Sequence, residues 1–367
     1  MIDKSDKLKR ALLWLPAKLY ELGVRLRVAA FETEYRKPKR LDATVIAVGN
    51  ITLGGTGKTP MVEHIARYIK SEGYSVAILT RGYGRKSSGL RALNAERALS
   101  KSSASRPGLD TASADSYREF GDEPLMLARA MPDVPIVINK DRYEGGRWAI
   151  NELGAETLVL DDAYQHLALA RDLNILLIDA TDPFGDFEMV PFGRLREPLY
   201  AIKRADAVII TRADRPFDQG QANAIIKHFC GNKIPVMYVG SLITRLRHIE
   251  TSEEYETNQF TGWNAALICG IGNPRAFADD ILQAGINIVS ENFFPDHHAF
   301  TQEDFDRVTR AAQETGADLI VTTEKDAVRL ERLNLGAVPL YAAQLEIQSD
   351  DDVRLKSLLL RTLIKRK

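Results

Sequence analysis

One stretch of the chain decides the fold: ATVIAVGNITLGGTGKTP, which runs from Ala43 to Pro60. Residues 43–49 are β-branched or small and apolar, a pattern typical of a short buried strand. The glycine-rich segment GGTGKT at 54–59 follows, and a helical pattern begins at Met61. A loop between a strand and a helix N-terminus points backbone N–H groups at one spot, so this stretch predicts a site for a phosphate group.

The loop fits the phosphates of a nucleoside triphosphate. Lys58 is expected to reach the β- and γ-phosphates, and the hydroxyl of Thr59 to bind Mg²⁺. The usual pattern has glycine at position 52, where this chain has Thr52, so two later glycines are expected to supply the flexibility. A structural glycine-rich turn is the alternative, which the flanking strand and helix disfavour. The predicted nucleotide-binding residues are Gly54, Gly55, Thr56, Gly57, Lys58 and Thr59.

Further apolar runs predict the rest of the fold. They lie at 76–80, 136–138, 158–160, 175–178 and 208–210, and two later ones at 265–270 and 319–323. Strands that alternate with helical stretches predict an α/β fold, with a parallel P-loop sheet flanked by helices and a second, smaller α/β domain of lid type. The active site is expected in the cleft between the two domains.

The length of 367 residues suits two domains. The expected segments are an N-terminal amphipathic segment at 1–36, a nucleotide- and substrate-binding domain at 37–220, a smaller α/β domain at 221–345 and a C-terminal helix or tail at 346–367. Residues 86–116, rich in serine, alanine and charge, are expected to form a flexible surface insertion. The basic end of the chain, 361–367, is expected to be solvated.

The composition argues against several classes of protein. Hydrophobic residues make up 45% and charged residues 27%, as in ordinary globular proteins. The formal net charge is −1, so the chain lacks the overall basic field of a nucleic-acid-binding protein. Cys230 and Cys269 form no CxxC pair, so neither a zinc site nor a disulfide framework is indicated, and the reducing cytoplasm fits.

The N-terminal residues 8–31 form a helical pattern with an apolar face that includes Trp14, and with cations beside it. Such a helix suits a membrane interface. The alternative, which periodicity alone favours, is a helix packed on the protein's own core. The chain has no run of about 18 apolar residues, the length a transmembrane helix needs. Lys18 and Glu21 interrupt any signal-peptide core.

Two acidic motifs are candidates for catalysis. In LVLDDAYQH (158–166) a strand delivers Asp161 and Asp162, which suits Mg²⁺ opposite the phosphate loop; the alternative is a helix cap. In GDEP (121–124) two acids open a helical segment, where a cap and a catalytic base are equally compatible with the sequence.

Two arginine loops and one histidine pair are weaker signals. TRGYGR (80–85) and GRLREP (193–198) offer guanidinium groups to phosphate, with surface salt bridges as the alternative. FPDHH (294–298) offers an Asp–His pair that is either a tuned proton acceptor or merely solvated.

In their order, these motifs resemble those of the tetraacyldisaccharide 4′-kinase family, the lipid A 4′-kinases of Gram-negative bacteria. The resemblance runs from the N-terminal helix to Asp326. It rests on GNITLGGTGKTP, TRGYGR, GDEP, LDDAYQH, DPFG (182–185), GRLREP, GIGNP (270–274), FPDH and TTEKDAVRL (322–330). The family phosphorylates the 4′-hydroxyl of a tetraacylated glucosamine disaccharide 1-phosphate with ATP and Mg²⁺, forming lipid IVA in lipid A biosynthesis.

The resemblance implies a role for each motif residue. Asp122 is expected to be the base, His297 to assist it, and Lys58 to act on the phosphates. The expected metal ligands are Thr59, Asp161, Asp162 and Glu123. The expected substrate-binding residues are Asn50, Tyr83, Arg85, Gln165, Arg194 and Arg196.

The resemblance also reverses the interpretation of the N-terminus. A lipid substrate stays in the membrane, so the helix becomes a peripheral, monotopic anchor on the cytoplasmic face of the inner membrane. The expected partners are the acylated disaccharide and the membrane surface; no nucleic acid and no protein partner is implied. The rival functions are a P-loop ATPase that switches or moves a partner, and a membrane scaffold with a decayed nucleotide site. Intact Lys58, Thr59, Asp161 and Asp162 argue against decay.

Overall fold

A computed structural model describes residues 4–85, 87–94 and 119–366, with side chains from residue 13 onward. The chain forms two compact units, each built from separate stretches. The first unit contains residues 1–81, 139–240 and 349–367, and the second contains 82–138 and 241–348. Residues 82–138 therefore belong to the same compact unit as residues 241–348. The domain boundaries predicted from the sequence divide the chain into consecutive segments instead.

Helices and strands alternate along most of the described chain. The helices are α1 (Lys4–Glu32), α2 (Lys58–Ser71), α3 (Asp122–Ala130), α4 (Arg142–Leu153), α5 (Gln219–Cys230), α6 (Pro274–Gln283), α7 (Gln302–Glu314), α8 (Glu324–Leu330) and α9 (Asp352–Ile364). The strands are β1 (Thr44–Asn50), β2 (Val76–Thr80), β3 (Arg91–Leu93), β4 (Ile136–Ile138), β5 (Thr157–Leu160), β6 (Leu173–Asp179), β7 (Ala207–Thr211), β8 (Val236–His248), β9 (Glu254–Glu256), β10 (Asn264–Cys269), β11 (Asn287–Phe293), β12 (Leu319–Thr323) and β13 (Leu340–Gln348). Among the described residues, no helix has the length and apolar character needed to cross a bilayer.

The sheet of the first unit is parallel. Its order is β8, β7, β6, β1, β5 and β2, where β8 takes part through residues 236–239. Every residue of β1, β2, β5, β6 and β7 is buried, as expected for strands covered on both faces. The central strand β1 lies between β5 and β6, in register with both. The consecutive strands β5 and β6 lie on opposite sides of β1, so the strand order reverses there. In parallel sheets, ligands bind at the carboxyl ends of the strands beside such a topological switch point.

The second unit has a smaller parallel sheet in the order β11, β10, β12 and β13. Its core is apolar, with Phe277 and Ile281 on one side of the sheet and Phe300 and Phe305 on the other. Helix α8 follows β12 directly and packs against α3. The α/β fold and the parallel P-loop sheet predicted from the sequence are confirmed.

One local prediction was wrong, and another is largely untested. The surface insertion expected at 86–116 stays a prediction, because residues 86 and 95–116 lie outside the described residues; its described part contains β3, which pairs antiparallel with β4. The basic C-terminal end is not simply solvated, because Arg366 donates to Asp172 at 2.6 Å. Each segment contains buried apolar residues: Ala92 and Leu93 in β3, and Leu363 in α9. The charged and small residues around them made both segments look like exposed surface in the sequence.

Candidate active site

The phosphate loop follows β1 at the switch point of the first unit. Gly54 has φ +110°, and a side chain there would also collide with the guanidinium of Arg194. Gly57, the residue before α2, has φ +71°. Both conformations favour glycine, and they let the loop turn into the N-terminus of a 14-residue helix. The loop therefore has the local geometry that the sequence predicted.

Lys58 folds back over this loop. Its ammonium lies 3.4 Å from Asn50 Oδ1, 3.5 Å from the Gly54 carbonyl and 3.7 Å from Asp162 Oδ1. Asn50, the last residue of β1, is fully buried and also donates to Thr52 Oγ1 at 3.5 Å. Asn50 and Asp162 therefore hold the Lys58 ammonium beside the loop.

The loop is braced by the end of β7, which the sequence analysis did not single out. Thr211 Oγ1 donates to the Thr56 carbonyl at 3.2 Å, and Arg212 Nη1 donates to the Gly55 carbonyl at 2.9 Å. Arg212 is paired in turn with Asp179 at the end of β6. These contacts tie down two loop carbonyls. The sequence could have pointed to Thr211 and Arg212, because they end a predicted parallel strand and parallel strands of one sheet end at the same edge.

Asp161 and Asp162 follow β5, the strand beside β1. Asp161 is buried and accepts from Thr80 Oγ1 at 3.4 Å. Both oxygens of Asp162 lie 3.0 Å from Arg196 Nη1. Burial raises the pKa of Asp162, but the positive charges of Lys58 and Arg196 outweigh it and hold that pKa below its ordinary value. The residues after Asp162 form turns rather than a helix, so the contacts give no support to the capping alternative.

The donor set suits Mg²⁺ in the presence of a nucleotide. The described residues contain no group of three or more His, Cys, Asp and Glu side chains able to hold a metal ion alone. Mg²⁺ is commonly held by one or two carboxylates, phosphate oxygens and waters, so a full protein cage is not required. Asp161, Asp162 and the Thr59 hydroxyl belong to this unit, whereas Glu123 belongs to the second unit.

Two more predicted residues, Arg194 and Gln165, lie around the loop of the first unit. Arg194 Nη2 donates to the Leu53 carbonyl at 3.0 Å, and its Nη1 lies 2.5 Å from Asp182 Oδ2. Gln165 Nε2 donates to the Asn50 carbonyl at 2.7 Å. The structure thus brings Asn50, Gln165, Arg194 and Arg196 together beside the loop.

The second unit contains a separate polar cluster around Asp122, the first residue of α3. Its carboxylate is buried and is gripped by Arg329 of α8, whose Nε donates to Oδ1 at 3.0 Å and whose Nη2 donates to Oδ2. His297 Nδ1 lies 3.3 Å from Asp122 Oδ2. The carboxylate therefore makes side-chain contacts within the cluster instead of capping α3 through a side-chain hydrogen bond.

Tyr83 and Arg85 lie in the same unit. The Tyr83 ring is 5.6 Å from the His297 ring and is 66% exposed, so it is accessible to a ligand. Arg85 Nη2 donates to the Gly89 carbonyl at 2.6 Å. Arg329 was missed as a candidate: it stands in the quoted TTEKDAVRL segment, yet 207 positions separate it from Asp122 and no local pattern connects them.

A family model for tetraacyldisaccharide-1-P 4′-kinase matches residues 9–364. The chain belongs to this family. It is 37% identical to a tetraacyldisaccharide 4′-kinase of Geobacter sulfurreducens, over 98% of this chain and 95% of that protein. It is 36% identical to one of Geobacter metallireducens, over 98% and 99%.

A solved structure agrees with this assignment. The fold is similar to that of LpxK from Aquifex aeolicus, solved in complex with ATP, with a TM-score of 0.71 and 30% identity. The match covers 96% of this chain and 99% of that one. The similarity therefore extends over both compact units of the family member described here.

Proposed function

We infer that this chain is an ATP-dependent kinase that phosphorylates the 4′-hydroxyl of a tetraacylated glucosamine disaccharide 1-phosphate, yielding lipid IVA in lipid A biosynthesis. The observation that carries the inference is the family match over residues 9–364. The phosphate loop with Lys58 at the start of α2 supports it, because it is built for the phosphates of a nucleotide. A partner-moving ATPase would share the loop, but nothing in that function accounts for the family match.

We assign the nucleotide to the first unit. Residues 54–59 would surround the β- and γ-phosphates with backbone N–H groups, and Lys58 would neutralise charge that develops on the transferred phosphoryl group. Asp161, Asp162 and the Thr59 hydroxyl would hold Mg²⁺, directly or through water. When bound, Mg²⁺ would offset the negative charge of the nucleotide phosphates. The low pKa of Asp162 supports its role, since a metal ligand must be ionised.

We assign the acceptor hydroxyl to Asp122. In the transfer, the 4′-oxygen bonds to the γ-phosphorus, the bond from that phosphorus to ADP breaks, and the hydroxyl proton passes to Asp122. Three contacts hold the carboxylate in place, two from Arg329 and one from His297. Such fixed geometry is what phosphoryl transfer mainly requires of a protein. Tyr83 and Arg85, with Asn50, Gln165, Arg194 and Arg196, are proposed to contact the substrates.

We further propose that α1 attaches the enzyme peripherally to the cytoplasmic face of the inner membrane. Four leucines on one side of the helix are each more than half exposed: Leu15, Leu19, Leu22 and Leu26. The opposite side packs on the first unit, because Ala17 and Val28 are buried and Val24 contacts its core. An acylated substrate presents a lipid surface, and apolar burial of this stripe would contribute about 25 cal/mol per Å².

The decisive assay measures transfer of radiolabelled γ-phosphate from ATP to the acylated disaccharide. We expect Mg²⁺-dependent labelling of that lipid and little ATP hydrolysis without it. ATP hydrolysis that is independent of the lipid and yields no labelled lipid would contradict the proposal and favour a switch ATPase.

The membrane proposal has its own experiment. Because α1 also contacts the core, the deletion of residues 1–31 would confuse loss of anchoring with loss of stability. Replacing the four exposed leucines by serine avoids this, and it should release the protein from anionic phospholipid vesicles in a flotation assay. A matched control replaces the exposed leucines Leu53 and Leu282, which lie outside α1. Unchanged flotation of the α1 variant would rule out this attachment.

A further inference from the structure

The end of strand β7 holds one peptide of the phosphate loop from outside. Arg212 follows β7 directly, and its Nη1 donates to the Gly55 carbonyl at 2.9 Å. The same nitrogen is paired with Asp179 at the end of β6, and its two hydrogens serve both acceptors at once. Arg212 therefore connects the ends of two core strands to the middle of the loop.

Asp179 is itself held in place, so the arginine has a fixed support. Asp179 Oδ1 accepts from the amide of Thr181 at 3.0 Å and from its hydroxyl at 2.7 Å, while Oδ2 is the oxygen paired with Arg212. Both side chains of the pair are largely enclosed, with 8% of Asp179 and 14% of Arg212 exposed. The carboxylate and the guanidinium therefore have little freedom to move away from the loop.

Thr211 makes the second contact from β7, and it is the weaker of the two. Its single hydroxyl proton has two acceptors within reach, the carbonyls of Thr56 at 3.2 Å and of Ile178 at 3.3 Å. Arg212 has a hydrogen for each of its acceptors, so the Gly55 carbonyl is the better held of the two loop carbonyls.

The contact with Arg212 sets the direction of the next amide in the loop. The Gly55 carbonyl and the Thr56 N–H belong to one trans peptide, in which the two groups point in opposite directions. Because the carbonyl is turned to Arg212, the Thr56 N–H points away from it. Within the part of the chain that the structure describes, no protein acceptor binds the N–H of Thr56 or of Gly57, so both are available to an anion.

The loop's own residues do not fix this direction. Gly54 and Gly55 have no side chains, and apart from its chain neighbours no heavy atom of the described residues lies within 4 Å of the position that a Cβ of Gly55 would occupy. A glycine in open space allows its peptide to rotate. A rotated peptide would present a carbonyl oxygen to the phosphates in place of an N–H, and the two negative partners would repel each other.

We propose that Arg212 is a positioning residue of the nucleotide site: it holds the Gly55–Thr56 peptide so that the Thr56 amide donates to a phosphate of the bound nucleotide, and Asp179 holds Arg212 for this task. The proposal rests on the assignment of the nucleotide to residues 54–59. An amide that already points at the phosphates needs no reorganisation when the nucleotide binds or when charge develops during transfer. Hydrogen bonds to charged acceptors are stronger than those to neutral ones, so a lost orientation is measurable as lost affinity.

The test measures the binding of ATP, inorganic triphosphate and adenosine to the full chain by calorimetry, without lipid. Arg212→Met removes both donated hydrogen bonds and should lower the affinity for ATP and for triphosphate about 10- to 100-fold, the loss expected for one hydrogen bond to a charged group. Adenosine has no phosphate, so its affinity should not change. Arg361→Met, at an exposed arginine of α9 in the same unit, is the matched control.

Asp179→Asn distinguishes positioning from simple charge attraction, because the two roles predict opposite changes. An amide side chain cannot accept from both Thr181 and Arg212 as the carboxylate does, so the arginine loses support and triphosphate affinity should fall about 2- to 10-fold. The same variant removes a negative charge beside the loop. If Arg212 acted only by attracting the phosphates, this removal would raise the affinity.

Arg212→Met leaves the buried Asp179 carboxylate without its arginine, so the double variant Asp179→Asn/Arg212→Met, which removes both charges, is measured beside it and should show the same loss. Thermal unfolding without nucleotide reports whether each variant is folded. Wild-type triphosphate affinity in both Arg212 variants, higher affinity in Asp179→Asn, or an equal loss for adenosine would overturn the proposal. A chain that phosphorylates no lipid but loses triphosphate affinity in Arg212→Met would refute the lipid kinase function and leave this role intact.

Discussion

The phosphate loop of the first unit and the Asp122 cluster of the second are built in opposite ways. The loop consists of consecutive residues whose glycine conformations and backbone groups form the site, with Lys58 as its main side chain. The Asp122 cluster consists of side chains from three distant segments, with His297 175 positions and Arg329 207 positions from Asp122. The loop takes its form from its own residues, although Thr211 and Arg212 brace it, whereas the assembled cluster exists only where several elements pack together.

Lys58→Ala should give the largest effect and should damage both binding and turnover. In the role proposed for it, the Lys58 side chain would contact the phosphates in the ground state and in the transition state. Loss of one such charged contact costs about 1.5–3 kcal/mol in binding and about 10²–10³-fold in kcat. We expect kcat/KM for ATP to fall by about 10³-fold or more in the lipid kinase assay. Lys70→Ala, in the same helix but exposed, is the control. Undiminished ATP affinity would remove Lys58 from the nucleotide site.

Asp122→Asn should distinguish the two sites, because we expect it to lower turnover without weakening ATP binding. A general base contributes about 10²–10⁴-fold. We expect kcat to fall within that range while ATP affinity, measured by calorimetry, stays within about two-fold. Asparagine keeps the shape that Arg329 packs against, whereas alanine would remove the carboxylate that the Nε and Nη2 groups of this buried guanidinium contact, at a larger cost in stability.

Asp306→Asn, at an exposed acid of α7, controls for the loss of a charge on the second unit. Equal loss of ATP affinity in Asp122→Asn and Lys58→Ala would break the distinction between the two sites.

The same contrast explains which features were predictable from the sequence. The strand at 319–323 and the phosphate loop were found because apolar periodicity and glycine placement are local signals. The functional interpretation of Asp122 and His297 came from the family resemblance, since nothing near either residue indicates the other. Arg329 was not identified, because its contacts with Asp122 arise only when α8 packs against α3. Strand β3 was hidden because its three residues sit in a charged, serine-rich segment.

Asp162→Asn should have an intermediate effect on activity, and the effect should appear as a changed dependence on Mg²⁺. The amide keeps the shape but loses the charge that is proposed to attract Mg²⁺, while Arg196 and Lys58 lose their paired anion. We expect the Mg²⁺ concentration for half-maximal activity to rise about 10- to 100-fold, as for other weakened metal sites.

Asp186→Asn, at an exposed acid with φ +60° that asparagine also tolerates, is the control for Asp162→Asn. Wild-type metal dependence in both Asp161→Asn and Asp162→Asn would remove these acids from the metal site.

Tyr20→Phe should give the smallest effect, and it tests whether even the local site of the first unit depends on a distant element. Tyr20 lies on α1, and its hydroxyl donates to the Arg196 carbonyl at 3.1 Å. Burial raises the pKa of Tyr20, so the hydroxyl keeps its proton and remains a donor at neutral pH. Arg196 in turn holds Asp162. The loss of one hydrogen bond costs about 0.5–1.5 kcal/mol, so we expect kcat to fall a few-fold.

Tyr20→Phe is compared with a control, Tyr35→Phe, and with the serine variant of the exposed leucines of α1. Tyr35→Phe removes a hydroxyl from a tyrosine that is 85% exposed and should behave as the wild type. Tyr20→Phe leaves the four exposed leucines of α1 intact, so vesicle flotation should not change, whereas the serine variant of that stripe should lose flotation. If Tyr20→Phe lowers kcat and leaves vesicle flotation unchanged, α1 supports the loop that carries Arg194 and Arg196 as well as the proposed membrane contact. If Tyr20→Phe matches Tyr35→Phe in every measurement, the phosphate site is independent of α1, and the contrast between a local site and an assembled one becomes sharper.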